Sequence, residues 1–262
     1  METDIAAKDD RQFVTALARG LELLRAFASG EERLSNQELA ERCGLPKSTV
    51  TRLSYTLTRL GYLVHVPESG RYRLGLQTLA LGGTTLSRLD VREASHARLQ
   101  QLADATQTMV ALAIRDDLAM LYIDNCVSEQ AILTLRLSLG SRMPLATSAV
   151  GRGYLAGATP EVRQMLVARL LALDPPGGDA LQAMVAQAVA DLAELGCVRS
   201  FGAWRREVNA IAVPMRLGAS QPLMVVNAAA AASAVPAEVF LREVRPRLVD
   251  TVRAIEARYR AA

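Results

Sequence analysis

The segment that most constrains this chain is an amphipathic stretch from Pro46 to Gly61, PKSTVTRLSYTLTRLG. Four of its apolar residues recur at steps of three and four: Val50, Leu53, Leu57 and Leu60. This spacing predicts a helix with a single apolar stripe. Pro46 favours the start of a helix and Gly61 its end, so both boundaries are marked. At about 1.5 Å per residue, the helix would be roughly 20 Å long.

The opposite face of this predicted helix is polar and basic and holds no carboxylate. Its residues are Lys47, Ser48, Thr51, Arg52, Tyr55 and Arg59. A helix that lies in the major groove of DNA needs such a face, because its side chains meet phosphates before they meet base edges. An ordinary surface helix with a solvated face has the same pattern, so the flanking segments decide between the two interpretations.

The flanking segments complete a winged helix. Upstream, Ser35 and Glu38 have the spacing of a capping box, and Gly44 separates the resulting short helix from the basic one. Two short helices joined at a glycine are typical of a helix-turn-helix. Downstream, apolar and polar residues alternate on both sides of residues 67–70, which predicts a hairpin that carries Arg71 and Arg73. A first helix is predicted from the spacing of Val14, Leu17, Leu21, Leu24 and Phe27.

The net charge is informative only when it is divided along the chain. The whole chain carries a formal net charge of +3. Residues 42–75 contain six arginine or lysine side chains and one carboxylate, Glu68, so this region has a charge of +5 and the remainder −2. Such a local concentration of cations is typical of a nucleic-acid-binding surface.

Length and composition predict a two-domain cytoplasmic protein. The chain has 262 residues, more than the usual single domain, and 50% of them are hydrophobic. The first dozen residues are polar and no stretch of about 18 residues is apolar and uncharged, so we expect neither a signal peptide nor a membrane span. An odd number of widely spaced cysteines argues against a disulfide framework. We expect all three to be reduced: Cys43, Cys126 and Cys197.

Three segments together resemble the amino-terminal domain of the IclR family of bacterial transcriptional regulators: RGLELLRAF, LSNQELAERCGLPKSTVTRLSYTLTRLGYL and GRYRLGLQTLALG. The resemblance implies a winged helix-turn-helix domain over residues 12–75, a linker helix over 76–90 and a GAF-like effector-binding and oligomerisation domain over 91–262. It also implies a homodimer or a dimer of dimers on double-stranded operator DNA. The predicted DNA-binding residues are Ser35, Lys47, Ser48, Thr49, Thr51, Arg52, Tyr55, Arg59 and Arg71.

The predicted linker helix contains two adjacent glycines, Gly82 and Gly83. Each weakens a helix by about 1 kcal/mol relative to alanine. Two interpretations remain open, since the pair can act as a hinge between the two domains or can let another helix pack closely.

The sequence after residue 91 predicts an α+β domain. Three segments rich in branched residues, TMVALAI, LAMLYID and AILTLRL, follow one another closely, and such tight spacing favours antiparallel strands. Helices are predicted at about 148–157, 160–172 and 179–195. Further strands are predicted at about 196–202, NAIAVPM and LMVVNAA, and a closing helix from Pro236 to Tyr259. An antiparallel sheet flanked by helices matches the GAF-like domain that the resemblance implies.

The sequence lacks the residues of the common enzyme chemistries. Its only histidines, His65 and His96, cannot assemble a histidine-dependent constellation in the second domain. It has no G-x-S-x-G, P-loop or Cys-x-x-Cys motif. Cys126 and Cys197 have no nearby partner in sequence, so neither a metal site nor a cofactor is predicted.

Residues for a small-molecule effector are predicted in GSRMPLATSAVGRGYLA and FGAWRREVNAIAVP. Ser148 can cap a helix whose first N–H groups would then face an anion or a carbonyl group. The family resemblance adds the neighbouring residues, an apolar wall and an opposite side. The full set is Ile132, Leu135, Thr147, Ser148, Ala149, Val150, Trp204, Asn209, Ala210 and Asn227. Each of them also fits a purely structural role.

We therefore expect a ligand-responsive, sequence-specific transcriptional regulator, a repressor of a catabolic operon, and not an enzyme. Small-acid sensors of the family carry acidic residues in the segment where this chain has Trp204, Arg205 and Arg206. The cations and the single tryptophan favour an organic or aromatic acid as effector. Two alternatives remain open: a small-molecule enzyme with an appended DNA-binding domain, and a sensor whose second domain only mediates association.

Overall fold

A computed structural model describes residues 12–29, 33–86, 90–131, 137–218 and 221–260. The chain forms two compact units, residues 1–88 and 89–262. None of the helices in the described ranges is both long and apolar enough to cross a membrane.

The first unit is the predicted winged helix-turn-helix. Its helices are α1 (Thr15–Arg25), α2 (Asn36–Cys43), α3 (Lys47–Arg59) and α4 (Leu76–Leu86), and a 3₁₀ turn, Ala26–Ser29, extends α1. The hairpin strands are β1 (Leu63–Val66) and β2 (Arg71–Leu74). They pair antiparallel, with Leu63 opposite Leu74 and Val66 opposite Arg71.

The apolar stripe predicted for α1 is only partly the buried one. Phe27 is buried and Leu24 packs against the same cluster. Leu17 and Leu21 are 63% and 53% exposed, and Gly20 and Leu23 face the core instead. Two apolar rows lie side by side on this helix, and helical spacing alone does not tell which of them packs inward.

The capping box and the glycine break predicted for α2 are confirmed. Ser35 Oγ accepts a hydrogen bond of 3.2 Å from the Glu38 N–H, and Glu38 Oε2 accepts one of 2.7 Å from the Ser35 N–H. Gly44 ends α2 with φ of 62°, a left-handed conformation that residues with a Cβ adopt reluctantly. The capping box and this glycine fix the angle at which the chain enters α3.

Helix α3 buries a narrower face than its sequence predicts. Val50 is fully buried, and Leu53 and Leu57 are partly buried against the same apolar cluster. Leu60, the last residue of the predicted stripe, is 59% exposed because it lies beyond the last helical residue. Pro46 occupies the position just before the helix rather than its first turn.

Helix α4 covers most of the predicted linker. It ends at Leu86, residues 87–89 lie outside the described residues, and Asp90 already belongs to the next helix. A Cβ atom built on Gly82 or Gly83 would meet no described atom within 4 Å. Within the described part of the first unit, therefore, no other helix packs against these glycines.

The second unit begins with α5 (Asp90–Thr106) and continues as a sheet flanked by helices. Its strands are β3 (Met109–Asp116), β4 (Ala119–Val127), β5 (Arg142–Pro144), β6 (Val198–Phe201), β7 (Val208–Met215) and β8 (Met224–Ala231). Its other helices are α6 (Ala149–Gly157), α7 (Pro160–Leu173), α8 (Gly178–Leu195), α9 (Ala237–Val239) and α10 (Arg245–Arg260). A π-helical turn, Phe240–Val244, joins the last two.

The strands form one sheet in the order β5-β4-β3-β8-β7-β6, and every neighbouring pair is antiparallel. The predicted antiparallel α+β layout is thus confirmed. Strand β5 was not predicted, because three residues are too few to show an alternation. Most of the predicted strand AILTLRL, residues 132–136, lies outside the described residues.

Alternation along the strands gives the sheet two buried faces. On β3, Val110 and Leu112 pack in the cluster that contains the apolar residues of α5 and α10, and we call this side the α5 face. Ala111 and Ala113 pack in the cluster that contains residues of α6, α7 and α8, and we call that side the α6 face. The two faces hold two different candidate sites.

A β-bulge decides which side chains of β4 reach each face. Ala113 pairs with Tyr122, but Leu112 pairs with Asp124, so Ile123 is the extra residue. A bulge of this kind re-aims the residues beyond it. As a result, Tyr122 lies on the α6 face, and Cys126 lies on the α5 face.

Helix α6 lies unusually close to its neighbours because of its glycines. A Cβ on Gly151 would be 2.1 Å from the carbonyl oxygen of Leu145, and one on Gly153 would be 2.9 Å from Val225 Cγ1. No side chain fits at such distances. Gly151 therefore lets the start of α6 pack against the backbone of the preceding loop, and Gly153 lets the middle of the helix approach β8.

Candidate DNA-binding surface and ligand cavity

The polar face predicted on α3 is exposed in the first unit. Its exposed residues are Lys47, Ser48, Thr51, Arg52, Tyr55 and Arg59, whereas Thr49 is half-buried. The side chains of Arg52 and Arg59 form no hydrogen bond or ion pair with the described residues. Tyr55 is 66% exposed. These three side chains are therefore available to an external partner.

Other residues of the predicted DNA-binding set already have partners within the unit. Thr51 Oγ1 donates to the Lys47 carbonyl oxygen over 2.9 Å and accepts from Asn36 Nδ2 over 3.0 Å. Lys47 Nζ donates to Gln37 Oε1 over 3.2 Å. These bonds join the start of α3 to α2. Thr51 and Lys47 therefore belong to the polar face and also help to hold α3 in its orientation.

Arg71 is held by the unit itself rather than projecting from the wing. Its Nη1 donates to the Arg33 carbonyl oxygen over 3.1 Å and lies 3.2 Å from Glu38 Oε2. Hydrogen bonds from Ser35, and then the charge of Arg71, hold the pKa of Glu38 below its usual value. The other wing cation, Arg73, is exposed. Arg73 is thus the wing arginine better placed to reach a phosphate.

The second unit contains a cavity on the α6 face with about 520 Å³ of empty space, part of which is open to solvent. Its lining is mostly apolar and aromatic, with a few polar groups. The lining residues are Met109, Tyr122, Leu137, Met143, Ser148, Ala149, Val150, Ser200, Trp204, Val208, Ala210, Asn227, Ala229, Ala230 and Ala231. A concave site with this composition is typical of small-molecule binding.

One end of the cavity is the amino terminus of α6. Ser148 caps the helix, because its Oγ accepts from the Gly151 N–H over 3.1 Å and donates to the Pro144 carbonyl oxygen over 2.7 Å. The N–H groups of Ala149 and Val150 belong to the first turn, where a helix provides no internal acceptor. Such N–H groups, together with the helix dipole, favour an anion or a carbonyl oxygen.

A buried polar pair marks another part of the lining. Burial raises the pKa of the Tyr122 hydroxyl, and a hydrogen bond from the Asn227 side chain partly offsets that rise. Asn227 Oδ1 is buried and has no hydrogen-bond partner among the described residues. An unpaired buried acceptor is destabilising, so this oxygen can accept a donor from a bound ligand.

The structure brings together most, but not all, of the predicted effector residues. Six of the predicted residues line the cavity: Ser148, Ala149, Val150, Trp204, Ala210 and Asn227. Thr147 is exposed and does not line it. Ile132 and Leu135 lie outside the described residues.

Asn209 is on the wrong side of the sheet for the cavity. It precedes Ala210 on β7, and successive residues of a strand point to opposite faces. Its Nδ2 donates to the Val235 carbonyl oxygen over 3.1 Å, which gives this buried amide a structural role. The cations next to Trp204 are not among the lining residues either: Arg205 stacks on the Trp204 ring at 5.0 Å, and both Arg205 and Arg206 are exposed.

Sequence reasoning missed several lining residues, including Met109, Tyr122, Met143 and Ser200. They lie on four different strands, and only the sheet order brings them together. Alternation along β4 predicts that Tyr122 is buried, but not on which face.

A second cluster, also missed, lies on the α5 face. It consists of His96 from α5 and of Asp124 and Cys126 from β4, with ligand-type atoms all within 4.8 Å of one another. Burial, and then the Asp124 charge, raise the pKa of the Cys126 thiol to about 12. Burial raises the pKa of Cys197 to about 11.

Two family models match this chain. The IclR helix-turn-helix domain matches residues 16–67, and the bacterial transcriptional regulator IclR C-terminal domain matches residues 83–257, which is more than half of the chain. The chain belongs to the IclR family. It is therefore a DNA-binding transcriptional regulator that responds to a small molecule, and the alternative of an enzyme with an appended DNA-binding domain is not supported.

Three IclR-family relatives align with nearly the whole chain. The HTH-type transcriptional regulator TsaQ1/TsaQ2 of Comamonas testosteroni is 29% identical over 268 residues, which span 100% of this chain and 96% of that protein. An IclR family transcriptional regulator from Brucella abortus is 39% identical, with a TM-score of 0.79 over 96% of this chain and 95% of that one. An IclR homolog from Microbacterium hydrocarbonoxydans, solved with 4-hydroxybenzoate, is 23% identical, with a TM-score of 0.72 over 95% and 100%.

Proposed function

We propose that this IclR-family regulator represses a catabolic operon. It dissociates from its operator, or changes its arrangement on it, when a small hydroxylated aromatic acid binds in the cavity on the α6 face. The observation that carries the proposal is the pairing of chemically different ends in one apolar cavity. The N–H groups of Ala149 and Val150 form one end, and the unpaired oxygen of Asn227 belongs to another part of the lining.

The expected position of a ligand carboxylate follows from the lining. Among the described residues that line the cavity there is no Lys, Arg, Asp or Glu, so a charged group meets no described side chain of opposite sign there. The amino terminus of α6 supplies N–H donors and a positive partial charge instead. A carboxylate is the simplest small anion that such a terminus receives.

The rest of the ligand follows from the remaining lining. Trp204, Tyr122 and Met143 offer flat or flexible apolar surface, which suits an aromatic ring. Asn227 Oδ1 needs a hydrogen-bond donor, and a hydroxyl group on the ring would supply one. The 4-hydroxybenzoate bound by the Microbacterium homolog has both a carboxylate and a hydroxyl group, so it is a suitable first probe.

The DNA side of the proposal rests on α3. We expect Arg52, Arg59 and Tyr55, which are exposed, to contact the operator directly, with the other predicted residues orienting the helix or touching the backbone. Bidentate contacts of arginine to guanine edges give sequence preference, whereas contacts to phosphate give affinity without preference.

The proposed assembly is a homodimer or a dimer of dimers on a palindromic operator. Apolar side chains on two helices of the first unit are exposed: Leu17, Leu21, Leu76, Leu79 and Leu81. Rows of exposed leucines on helices are typical of interfaces, because isolated proteins rarely expose contiguous apolar surface. A symmetric dimer would cover them and would present two copies of α3 to two half-sites.

Regulation follows from linkage between the two sites. An effector that binds one arrangement of the dimer more tightly than another changes operator affinity by the ratio of its two affinities. A change of 5- to 150-fold corresponds to about 1–3 kcal/mol of coupling free energy.

Trp204 provides a direct test, because it is the single tryptophan of the chain and lines the cavity. The fluorescence of the full-length protein should change saturably on titration with 4-hydroxybenzoate. Benzoate, which lacks the hydroxyl donor, and 4-hydroxybenzyl alcohol, which lacks the carboxylate, should both bind more weakly. Equal binding of all three compounds, or of none, would contradict the proposed ligand chemistry.

A further inference from the structure

The α5 face of the second unit contains a group of three potential metal ligands that neither the DNA-binding nor the effector role uses. His96 comes from α5, and Asp124 and Cys126 come from β4. Asp124 and Cys126 follow His96 by 28 and 30 residues, so no short sequence motif predicts the group. The bulge at Ile123 places both β4 residues on the side of the sheet that faces α5.

The distances from His96 to the other two side chains are close to those of a tetrahedral zinc site. His96 Nδ1 lies 3.5 Å from Cys126 Sγ. With Zn–N of about 2.05 Å and Zn–S of about 2.3 Å, two ligands at a tetrahedral angle are about 3.5 Å apart. His96 Nδ1 lies 2.9 Å from Asp124 Oδ2, so this pair would have to separate by only about 0.4 Å to admit the ion.

The three side chains differ in burial, so the group is accessible from solvent on one side. Asp124 and Cys126 are almost fully buried, at 2% and 1% exposure, whereas half of the His96 side chain is exposed. A buried carboxylate and thiol are set in place by the sheet, and the exposed imidazole leaves a path from solvent. His, Cys and Asp together suit a borderline-soft ion such as Zn²⁺ rather than Mg²⁺ or Ca²⁺, which prefer oxygen ligands.

One cation competes for the same carboxylate. Arg92, one helical turn before His96, has its Nε 3.7 Å from Asp124 Oδ1, and this buried nitrogen has no hydrogen-bond partner among the described residues. The N–H of Asn125 also donates to Oδ1, over 3.0 Å. His96 Nδ1 lies 3.1 Å from Asp124 Oδ1 and 2.9 Å from Oδ2, so both oxygens are near the imidazole. Because Arg92 and Asn125 contact Oδ1, we expect an ion to bind beside Oδ2, with the guanidinium opposing it.

We propose that His96, Asp124 and Cys126 form a site for a divalent transition-metal ion of the Zn²⁺ class, with a fourth position open to solvent. The ion joins α5 to β4 and is separate from the effector cavity, which lies on the opposite face of the sheet. Metal binding therefore cross-links the first helix of the second unit to its sheet.

The test is titration of chelator-treated full-length protein with Co²⁺ and then Zn²⁺. One equivalent of Co²⁺ should give a thiolate-to-metal charge-transfer absorption, and Zn²⁺ should displace it. Cys126→Ser should lose this absorption band, and His96→Ala, at an exposed position, should lose stoichiometric binding. Cys197→Ser, a buried thiol outside the group, should retain both.

Two further results decide the assignment. Arg92→Gln should lower the dissociation constant for Zn²⁺, because it removes the competing cation; an unchanged or higher constant would contradict the geometry. Zn²⁺ should also raise the melting temperature of the wild-type protein but not that of His96→Ala. Absence of a charge-transfer band in the wild type, or a band that survives in both the Cys126 and His96 variants, would overturn the proposal.

Discussion

The guanidinium of Arg71 in the wing lies 3.2 Å from the carboxylate of Glu38 on α2. Glu38 also completes the capping box with Ser35, so a single carboxylate links the amino-terminal cap of α2 to the hairpin. The backbone reinforces this link, because the Leu34 N–H donates to the Tyr72 carbonyl oxygen over 2.9 Å. The wing is therefore attached to the helix-turn-helix through both side chains and backbone.

The first prediction concerns this attachment. Arg71→Ala should loosen the hairpin, because it removes the contacts to Glu38 and to the Arg33 carbonyl oxygen. We expect faster hydrogen exchange at the amides of residues 71–74. Arg73→Ala, at an exposed position on the same strand, is the matched control and should leave exchange unchanged. Equal exchange in wild type and Arg71→Ala would show that the pair does not hold the wing.

The second prediction concerns acid stability of the second unit. Arg199 Nε and the Arg199 backbone N–H both donate to Asp191 Oδ2, over 3.0 and 3.2 Å. Burial alone would raise the pKa of Asp191, but hydrogen bonds from Arg199 and Gln187 lower it overall. Because the pKa of Asp191 is lowered in the folded state, its ionised carboxylate stabilises the folded protein at pH values above the ordinary pKa near 3.8. This contribution is lost as the pH falls through the folded-state pKa.

Asp191→Asn should therefore reduce stability near pH 7 by roughly 1–3 kcal/mol and should flatten the loss of stability between about pH 5 and the folded pKa. Urea unfolding followed by Trp204 fluorescence at several pH values measures both effects. Glu194→Gln, an exposed carboxylate on the same helix, is the control. If the unfolding free energy of Asp191→Asn falls with decreasing pH as steeply as that of the wild type, this carboxylate is not the cause of the acid sensitivity.

The third prediction concerns the cavity. Ala149→Leu adds bulk where the amino terminus of α6 meets the lining, and overpacking would reduce the space for a ligand or lower stability by about 1–3 kcal/mol. Binding of 4-hydroxybenzoate, followed by Trp204 fluorescence, should be weakened while operator affinity is retained. Ala193→Leu, on the exposed side of α8, should bind as wild type does. Wild-type ligand binding by Ala149→Leu would place the effector elsewhere.

The fourth prediction concerns the cysteines. Cys126 and Cys197 are buried, and burial raises their thiol pKa values to about 12 and about 11, so the reactive thiolate is scarce at neutral pH. Cys43 is only half-buried, although burial raises its pKa too. In chelator-treated native protein at pH 7.5, iodoacetamide should modify Cys43 first. Mass spectrometry showing Cys126 or Cys197 modified at the rate of Cys43 would contradict this order.

The sequence predicts the elements of this protein better than it predicts their contacts. The capping box at Ser35, the glycine at Gly44 and the hairpin around residues 67–70 are local signals, and the structure confirms them. The buried row of α1 and the exposure of Leu60 depend on packing between elements, which a spacing of three and four cannot specify.

The candidate sites show the same division. Ser148 could be predicted as a cap because capping is local, and the start of α6 does line the cavity. Asn209 was misplaced because a single-residue step along β7 moves a side chain to the other face of the sheet. Asp124 and Cys126 could not be placed beside His96, because the bulge at Ile123 is not visible in the alternation of β4.

Operator binding by Arg52→Ala tests the DNA-reading role of α3 most directly. Genomic DNA captured by the purified wild-type protein should yield one enriched palindromic sequence, and Arg52→Ala should bind it more weakly by about 1–3 kcal/mol with relaxed sequence preference. Arg98→Ala, an exposed arginine of the second unit, should bind as wild type does. Undiminished affinity and unchanged preference in Arg52→Ala would contradict the assignment of α3 as the DNA-reading helix.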